Sequence, residues 1–255
     1  MKKILRLVLF IFLICFLCLS TSCASKEKYT HKNFFKLIED SNKPYQLHEP
    51  IDKINENEER KYPVLIHLHG RGENNNTFSY PFFHKLLSGY ALINDLINKI
   101  NDKPDYYESY VVLVVEDGDW GPDADFIAEI IDLLINKKDA DPNRIYITGV
   151  SMGSFATSDF IFAYPDIPAC AVMICGCSYN ADKAPDILNI PVRLYHSDDD
   201  HIVNVDTSRD FYSGLTALGG NKIEYFECTG YRHSAWDYAY KTDMLDWMYL
   251  QEKGN

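Results

Sequence analysis

Basic residues are scarce in this chain. Its 255 residues include 25 Lys and Arg against 37 Asp and Glu, a formal net charge of −12. A surface of that sign neutralises no phosphates and repels anionic lipid, which argues against nucleic-acid partners and electrostatic docking on a membrane. Long apolar runs are missing beyond the first residues. Leu5 to Leu19 is apolar apart from Arg6, and it is shorter than the ~20 residues a spanning helix needs. Metal-ligand spacing is also absent. Only one residue separates Cys175 from Cys177, and no second Cys/His pair answers them, so neither a metal nor another cofactor is expected. No internal repeat or low-complexity stretch occurs, and no break in composition marks a second domain.

The N-terminus carries an address. Lys2, Lys3 and Arg6 precede and enter the apolar run, and the small residues Ser20-Thr21-Ser22 follow it. This is the order of an export signal, assigned here to residues 1–23. Cys23 then resembles the lipidated cysteine of a bacterial lipobox, although Ser20 stands where leucine is usual. The expectation is a cell-envelope protein anchored through Cys23, touching the membrane by that lipid only. Residues 24–43 read as a polar tether with a short helix around Phe34–Ile38, and residues 44–255 as the folded domain. Four cysteines remain, Cys170, Cys175, Cys177 and Cys228, and spacing chooses no disulfide pairing among them.

With 46% apolar residues the chain can fill a core. Near-continuous apolar runs at 63–70, 110–116, 144–148, 169–175, 191–196 and 222–228 read as buried strands. Helices are expected near Tyr90–Ile100, over the 3.6-residue pattern of Phe126, Ile127, Ile130, Ile131 and Leu134, from Ser154 to Ala163, from Asp206 to Leu218, and from Ser234 to Leu250. Alternation of this kind gives a mostly parallel central sheet with helices on both faces, an α/β fold.

Gly149-Val150-Ser151-Met152-Gly153 sits between a strand and a helix. That context makes Gly-x-Ser-x-Gly a nucleophile elbow: a turn tight enough to strain the serine, with glycines where side chains would clash. A serine hydroxyl needs a base, and the base needs an orienting acid, in the chain order Ser, acid, His. Only His196, His201 and His233 follow Ser151. His196 precedes the acidic cluster and His201 adjoins it, which leaves His233 as base. Asp198, Asp199 and Asp200 compete for the acid, and Asp206 reads as a helix cap. Two backbone amides should hold an oxyanion: Met152, and Arg71 after the 63–70 strand, with Gly72 the second choice. His67 and His69 read as structural histidines bonded to nearby backbone.

These motifs carry a resemblance. Pro63–Gly72, Asp141–Gly153, Pro191–Val203 and Gly230–His233 together resemble the α/β-hydrolase superfamily. Within it, the chain looks like the polyhydroxybutyrate-depolymerase, feruloyl-esterase and acetyl-xylan-esterase group, which overlaps peptidases of the prolyl-oligopeptidase type. The run from His196 to Val203 is similar to the group's His-Gly-x-x-Asp-x-x-Val and implies Asp200 as the acid, with Ser197 replacing glycine and Asp199 the second choice. His233-Ser-Ala-Trp236 is similar to the group's His-x-x-Trp. The resemblance implies a Ser151–His233–Asp200 esterase acting on small-molecule or polysaccharide-linked esters. A peptidase with the same triad and a non-catalytic surface lipoprotein are the alternatives. The short span from 175 to 200 leaves no room for a large cap, so an open cleft is expected. Phe78, Tyr80, Trp120 and Trp236 are candidates to contact substrate, as are Phe82, Tyr106 and Tyr107.

Overall fold

Six of the apolar runs hydrogen-bond side by side. The computed structural model describes residues 28–30, 33–38, 45–50, 60–71, 87–114 and 123–254. In chain order the strands are β1 (Lys36–Ile38), β2 (Tyr45–His48), β3 (Tyr62–Leu68), β4 (Tyr110–Val114), β5 (Ala140–Val150), β6 (Cys170–Ile174), β7 (Val192–Ser197) and β8 (Ile223–Cys228). They form one sheet in the order β1-β2-β4-β3-β5-β6-β7-β8. β3 to β8 run parallel, while β2 pairs antiparallel with both β4 and β1.

The helices are α1 (Leu87–Asp102), α2 (Pro104–Tyr107), α3 (Ala124–Lys137), α4 (Met152–Ala163), α5 (Asp206–Ala217), α6 (Trp236–Ala239) and α7 (Met244–Tyr249). Two cores result from the alternation of side chains along the strands. On one face Val64, Ile66, Ile145 and Ile147 meet Ile127, Ile130, Ile131 and Leu134 of α3 and Phe160 and Ile161 of α4. On the other, Leu65, Tyr146, Val172 and Tyr195 meet Leu92, Leu96 and Ile100 of α1 and Met244, Leu245 and Met248 of α7. Each such aliphatic side chain taken out of water contributes about 1.5–3 kcal/mol. Asp123 caps α3 by accepting from the Phe126 amide at 3.1 Å.

Several expectations are corrected. The helix expected at Phe34–Ile38 contains strand β1, and Tyr29 and Phe34 are buried in the second core, so part of the presumed tether belongs to the fold. The single C-terminal helix is two short ones, α6 and α7, separated by turns at 240–243. Asp206 does not cap α5. It lies in the first turn, where it accepts from Arg209 at 2.9 Å, and its own amide donates to Asn204 Oδ1 at 3.0 Å. Tyr106 and Tyr107 cannot stack on a substrate at Ser151. They precede Tyr110, which is level with Val64 and through it with Ile145. That is roughly 20 Å down the strands from Ser151. All four cysteines of the domain are free and buried. Among the described residues no helix is long and apolar enough to cross a membrane. Cys23, Gly72, Phe78, Tyr80, Phe82 and Trp120 lie outside the described residues.

Candidate active site

Three loops at the carboxyl ends of β5, β7 and β8 converge on one point. The first is the turn from β5 into α4. Ser151 has φ 55° and ψ −117°, a conformation that costs a side-chain-bearing residue about 1–3 kcal/mol. Its amide donates to the Ile174 carbonyl at 2.8 Å, and its carbonyl accepts from Ser154 and Phe155, opening α4. The strain persists because the backbones around it are in contact. A Cβ on Gly149 would lie 2.1 Å from the Gly153 carbonyl oxygen, and one on Gly153 would lie 2.1 Å from the Leu68 carbonyl oxygen. Glycine is required at both positions, as the motif predicts.

The second loop follows β7. Among its three aspartates, only Asp200 turns inward and is buried. Its Oδ1 accepts from the amides of Ile202 at 2.8 Å and Val203 at 3.0 Å. Its Oδ2 lies 2.7 Å from His233 Nδ1 and 3.2 Å from His196 Nε2. Burial pushes the Asp200 carboxyl up. The hydrogen bonds from His233, Val203 and Ile202 outweigh it and hold the group below the usual carboxylate range. The two neighbouring acids brace the third loop. Asp199 Oδ1 accepts from Ser197 Oγ at 2.5 Å and from the amides of Gly230 at 3.2 Å and Arg232 at 2.9 Å. Asp198 Oδ2 accepts from Thr229 Oγ1 at 2.9 Å.

The third loop follows β8 and carries His233. Arg232 adopts φ 49°, which lets its amide reach Asp199 while the next residue turns toward Ser151. His233 Nε2 stands 2.8 Å from Ser151 Oγ. The partners assign the tautomer: Nδ1 faces a carboxylate and donates, so Nε2 accepts from the serine hydroxyl. The His233 side chain keeps 21% of its surface exposed. Trp236 meets the imidazole edge-to-face, with ring centroids 6.1 Å apart. It therefore packs against the His233 ring.

Met152 is the first residue of α4, directly after Ser151. Arg71 is exposed in the turn after β3. Gly70 lies beside the serine, since a Cβ there would come 3.6 Å from Ser151 Cβ and 3.4 Å from the Val150 carbonyl oxygen. His69 Nδ1 bonds the Gly70 carbonyl at 2.9 Å, as expected of a structural histidine. His67 departs from that expectation: it is buried, and neither ring nitrogen has a hydrogen-bond partner among the described residues. Burial depresses its pKa to about 3 and His69 adds to the effect, so the ring is neutral.

Two further residues touch the triad and were not singled out for it by sequence. His196, set aside as a base, shares Asp200. Cys175 follows β6 with φ 62°, and the backbone of Ala235 and Trp236 at the start of α6, behind His233, faces its thiol. Cys175, Asp200 and His233 place one ligand atom each within 4.8 Å of one another. The carboxylate and imidazole are already engaged with each other, and burial pushes the Cys175 thiol up to about 12. The cluster is therefore organised for hydrogen bonding.

Comparison with known proteins agrees with this geometry. The family described as Phospholipase/Carboxylesterase matches residues 122–245. Protein L404 of Acanthamoeba polyphaga mimivirus, which bears an alpha/beta-hydrolase name, is 27% identical over 107 residues, 36% of this chain and 41% of its own. A thermostable esterase superposes with a TM-score of 0.73 at 25% identity, covering 87% of this chain and 64% of that one. The chain thus spans about two-fifths of the first and just under two thirds of the second. A CE1 ferulic acid esterase from Anaeromyces mucronatus superposes with a TM-score of 0.62 at 16% identity, covering 90% and 96%. Eight strands in this order among the described residues, the serine elbow after β5 and these likenesses establish that the chain has the α/β-hydrolase fold, with residues 122–245 similar to the phospholipase/carboxylesterase family.

Proposed function

We propose that the protein is a serine carboxylesterase. The observation that carries the reading is the unbroken line from Ser151 Oγ through His233 to a buried, ionised Asp200, at 2.8 and 2.7 Å. In this reading His233 Nε2 takes the hydroxyl proton as Ser151 Oγ adds to the ester carbonyl. Asp200 holds the resulting imidazolium by the charge-assisted bond at Nδ1. The amides of Met152 and Arg71 receive the oxyanion, and the N-terminus of α4 adds a favourable dipole. His233 then protonates the leaving alcohol, and an acyl group remains on Ser151. Water, deprotonated by His233, attacks the acyl carbonyl, and collapse returns the acid and the free serine. The groups involved move protons and charge without calling on a metal.

The preferred substrates in this proposal are acyl or feruloyl esters of carbohydrates, met at the cell envelope by a protein anchored through Cys23. The short β6–β7 connection, with only a 3₁₀ turn at Ala184–Ile187, supports an open site suited to bulky esters. The test is turnover of p-nitrophenyl acetate, methyl ferulate, acetylated xylan and a prolyl-peptide amide by the purified protein and by Ser151→Ala. Ester turnover lost in the variant is the expected result. Amide cleavage without ester turnover would turn the reading to a peptidase. Absence of both, with no fluorophosphonate label on Ser151, would end the enzymatic reading.

A further inference from the structure

Asp200 does not serve His233 alone. The oxygen that accepts from His233 Nδ1 at 2.7 Å also lies 3.2 Å from His196 Nε2. The His196 side chain is fully buried, and its second nitrogen, Nδ1, lies 2.8 Å from Ser208 Oγ on α5. Burial holds His196 below the ordinary histidine range, so its ring is neutral and has one N–H. A carboxylate can only accept, which places that hydrogen on Nε2. Nδ1 then accepts from the Ser208 hydroxyl. The chain of donors runs from Ser208 to His196 to Asp200, and Asp200 receives the His233 N–H from the other side.

We propose that His196, backed by Ser208, is a positioning residue of the active site: the second imidazole of a His196–Asp200–His233 relay that sets the orientation and effective charge of Asp200. The inference rests on the serine-hydrolase reading above. Asp200 has four donors, two amides on Oδ1 and two imidazoles on Oδ2. Removal of one imidazole leaves a buried anion short of a donor. The carboxylate then attracts the Nδ1 proton of His233 more strongly, and His233 stays protonated to higher pH.

The groups facing the relay are few. Asp199, on the same loop, is engaged by Ser197 and two amides of the His233 loop. Glu227 of β8, the register partner of His196, is paired with Arg209 of α5 at 2.7 Å. Cys175 at the end of β6 keeps its thiol protonated because of burial. The Cys228 thiol of β8 meets the His196 carbonyl at 3.5 Å, and the Val203 carbonyl faces the ring. None of these supplies Oδ2 with a replacement donor.

The test uses the whole protein with three substitutions. His196→Phe keeps a ring and loses the N–H. His196→Gln keeps an N–H near the Nε2 position. Ser208→Ala removes the partner behind Nδ1. His196→Phe is expected to lower kcat for an ester about tenfold with a smaller change in KM. Its acid limb of kcat/KM should move up by about half to one pH unit. His196→Gln should recover most of both effects, and Ser208→Ala should shift the limb in the same direction by less. Ring ¹⁵N NMR titration of His233 in each protein gives the same shift without turnover, so it decides the relay even if esters are not hydrolysed and the serine-hydrolase reading fails. A folded His196→Phe whose His233 titrates as in wild type overturns the proposal, as does a His196→Gln that behaves like His196→Phe. If His196→Phe does not fold, a Ser208→Ala protein with an unshifted His233 titration overturns it.

Discussion

Replacing Ser151 with glycine should give a more stable protein than replacing it with alanine, the reverse of the usual order. Both variants lack the hydroxyl, so the lost hydrogen bond to His233 Nε2 is common to them and cancels. Alanine keeps a Cβ at φ 55°, ψ −117° and with it a strain of about 1–3 kcal/mol, which glycine releases. Glycine gives back about 0.4–1 kcal/mol through the greater freedom of its unfolded chain. The difference favours Ser151→Gly over Ser151→Ala by roughly 1 kcal/mol, or about 2–4 °C in Tm for a domain of this size. Thermal unfolding followed by circular dichroism, with urea unfolding as a second probe, measures it, and ester turnover should be absent from both variants. A Ser151→Ala protein as stable as Ser151→Gly, or more stable, would refute the argument that the elbow stores backbone strain.

Gly153→Ala should be far more damaging. Its Cβ would meet two backbone oxygens, Leu68 at 2.1 Å and His69 at 2.7 Å, neither of which can turn aside. A loss of more than about 3 kcal/mol is expected, read as a lower Tm or the absence of soluble protein. Acid should weaken the fold through the buried neutral histidines. Burial depresses His67 to about 3 and His48 to about 4, both below the unfolded value. The unfolded state therefore binds more protons as the pH falls below about 6.5, and His67 alone removes about 2 kcal/mol by pH 5. His67→Leu should flatten the fall of the urea midpoint between pH 7 and 5. An unchanged slope would show that the ring is protonated in the native state.

Ser151 and His233, the proposed nucleophile and base, are legible because each is tied to chain order. Gly149 and Gly153 frame Ser151, and only one histidine follows the acidic turn at the required distance. The acid was harder. Asp198, Asp199 and Asp200 are chemically identical neighbours, and their directions depend on how the β7 turn docks on the β8 loop. The resemblance indicated Asp200, and the structure brings that residue to His233 while Asp199 braces Gly230 and Arg232. Chain order sets His196 aside as the base, but it says nothing about a contact with Asp200 reached across a four-residue turn. The C-terminal segment reads as one helix because it is rich in Trp, Tyr and Met from Ser234 to Leu250. Thr242 interrupts it: its hydroxyl donates to the Ala239 carbonyl at 2.7 Å and accepts from the Met244 amide at 3.2 Å, turning the chain between α6 and α7. The Phe34–Ile38 misreading has a different cause, since β1 is a strand only through its pairing with β2.

The close approach of β3, β5 and α4 has a consequence for motion. At Gly149 and Gly153 main chain rests on main chain, and the one side chain at the contact, Thr157, is pinned by its hydroxyl donating to the Gly153 carbonyl at 2.9 Å. Ser151 moves only as the sheet moves. Its two partners are held differently, on turns braced by carboxylates that hydrogen-bond fluctuations can loosen. Thermal disorder at this centre should therefore rise first in the position of the base, while the oxygen it serves stays fixed until the sheet gives way.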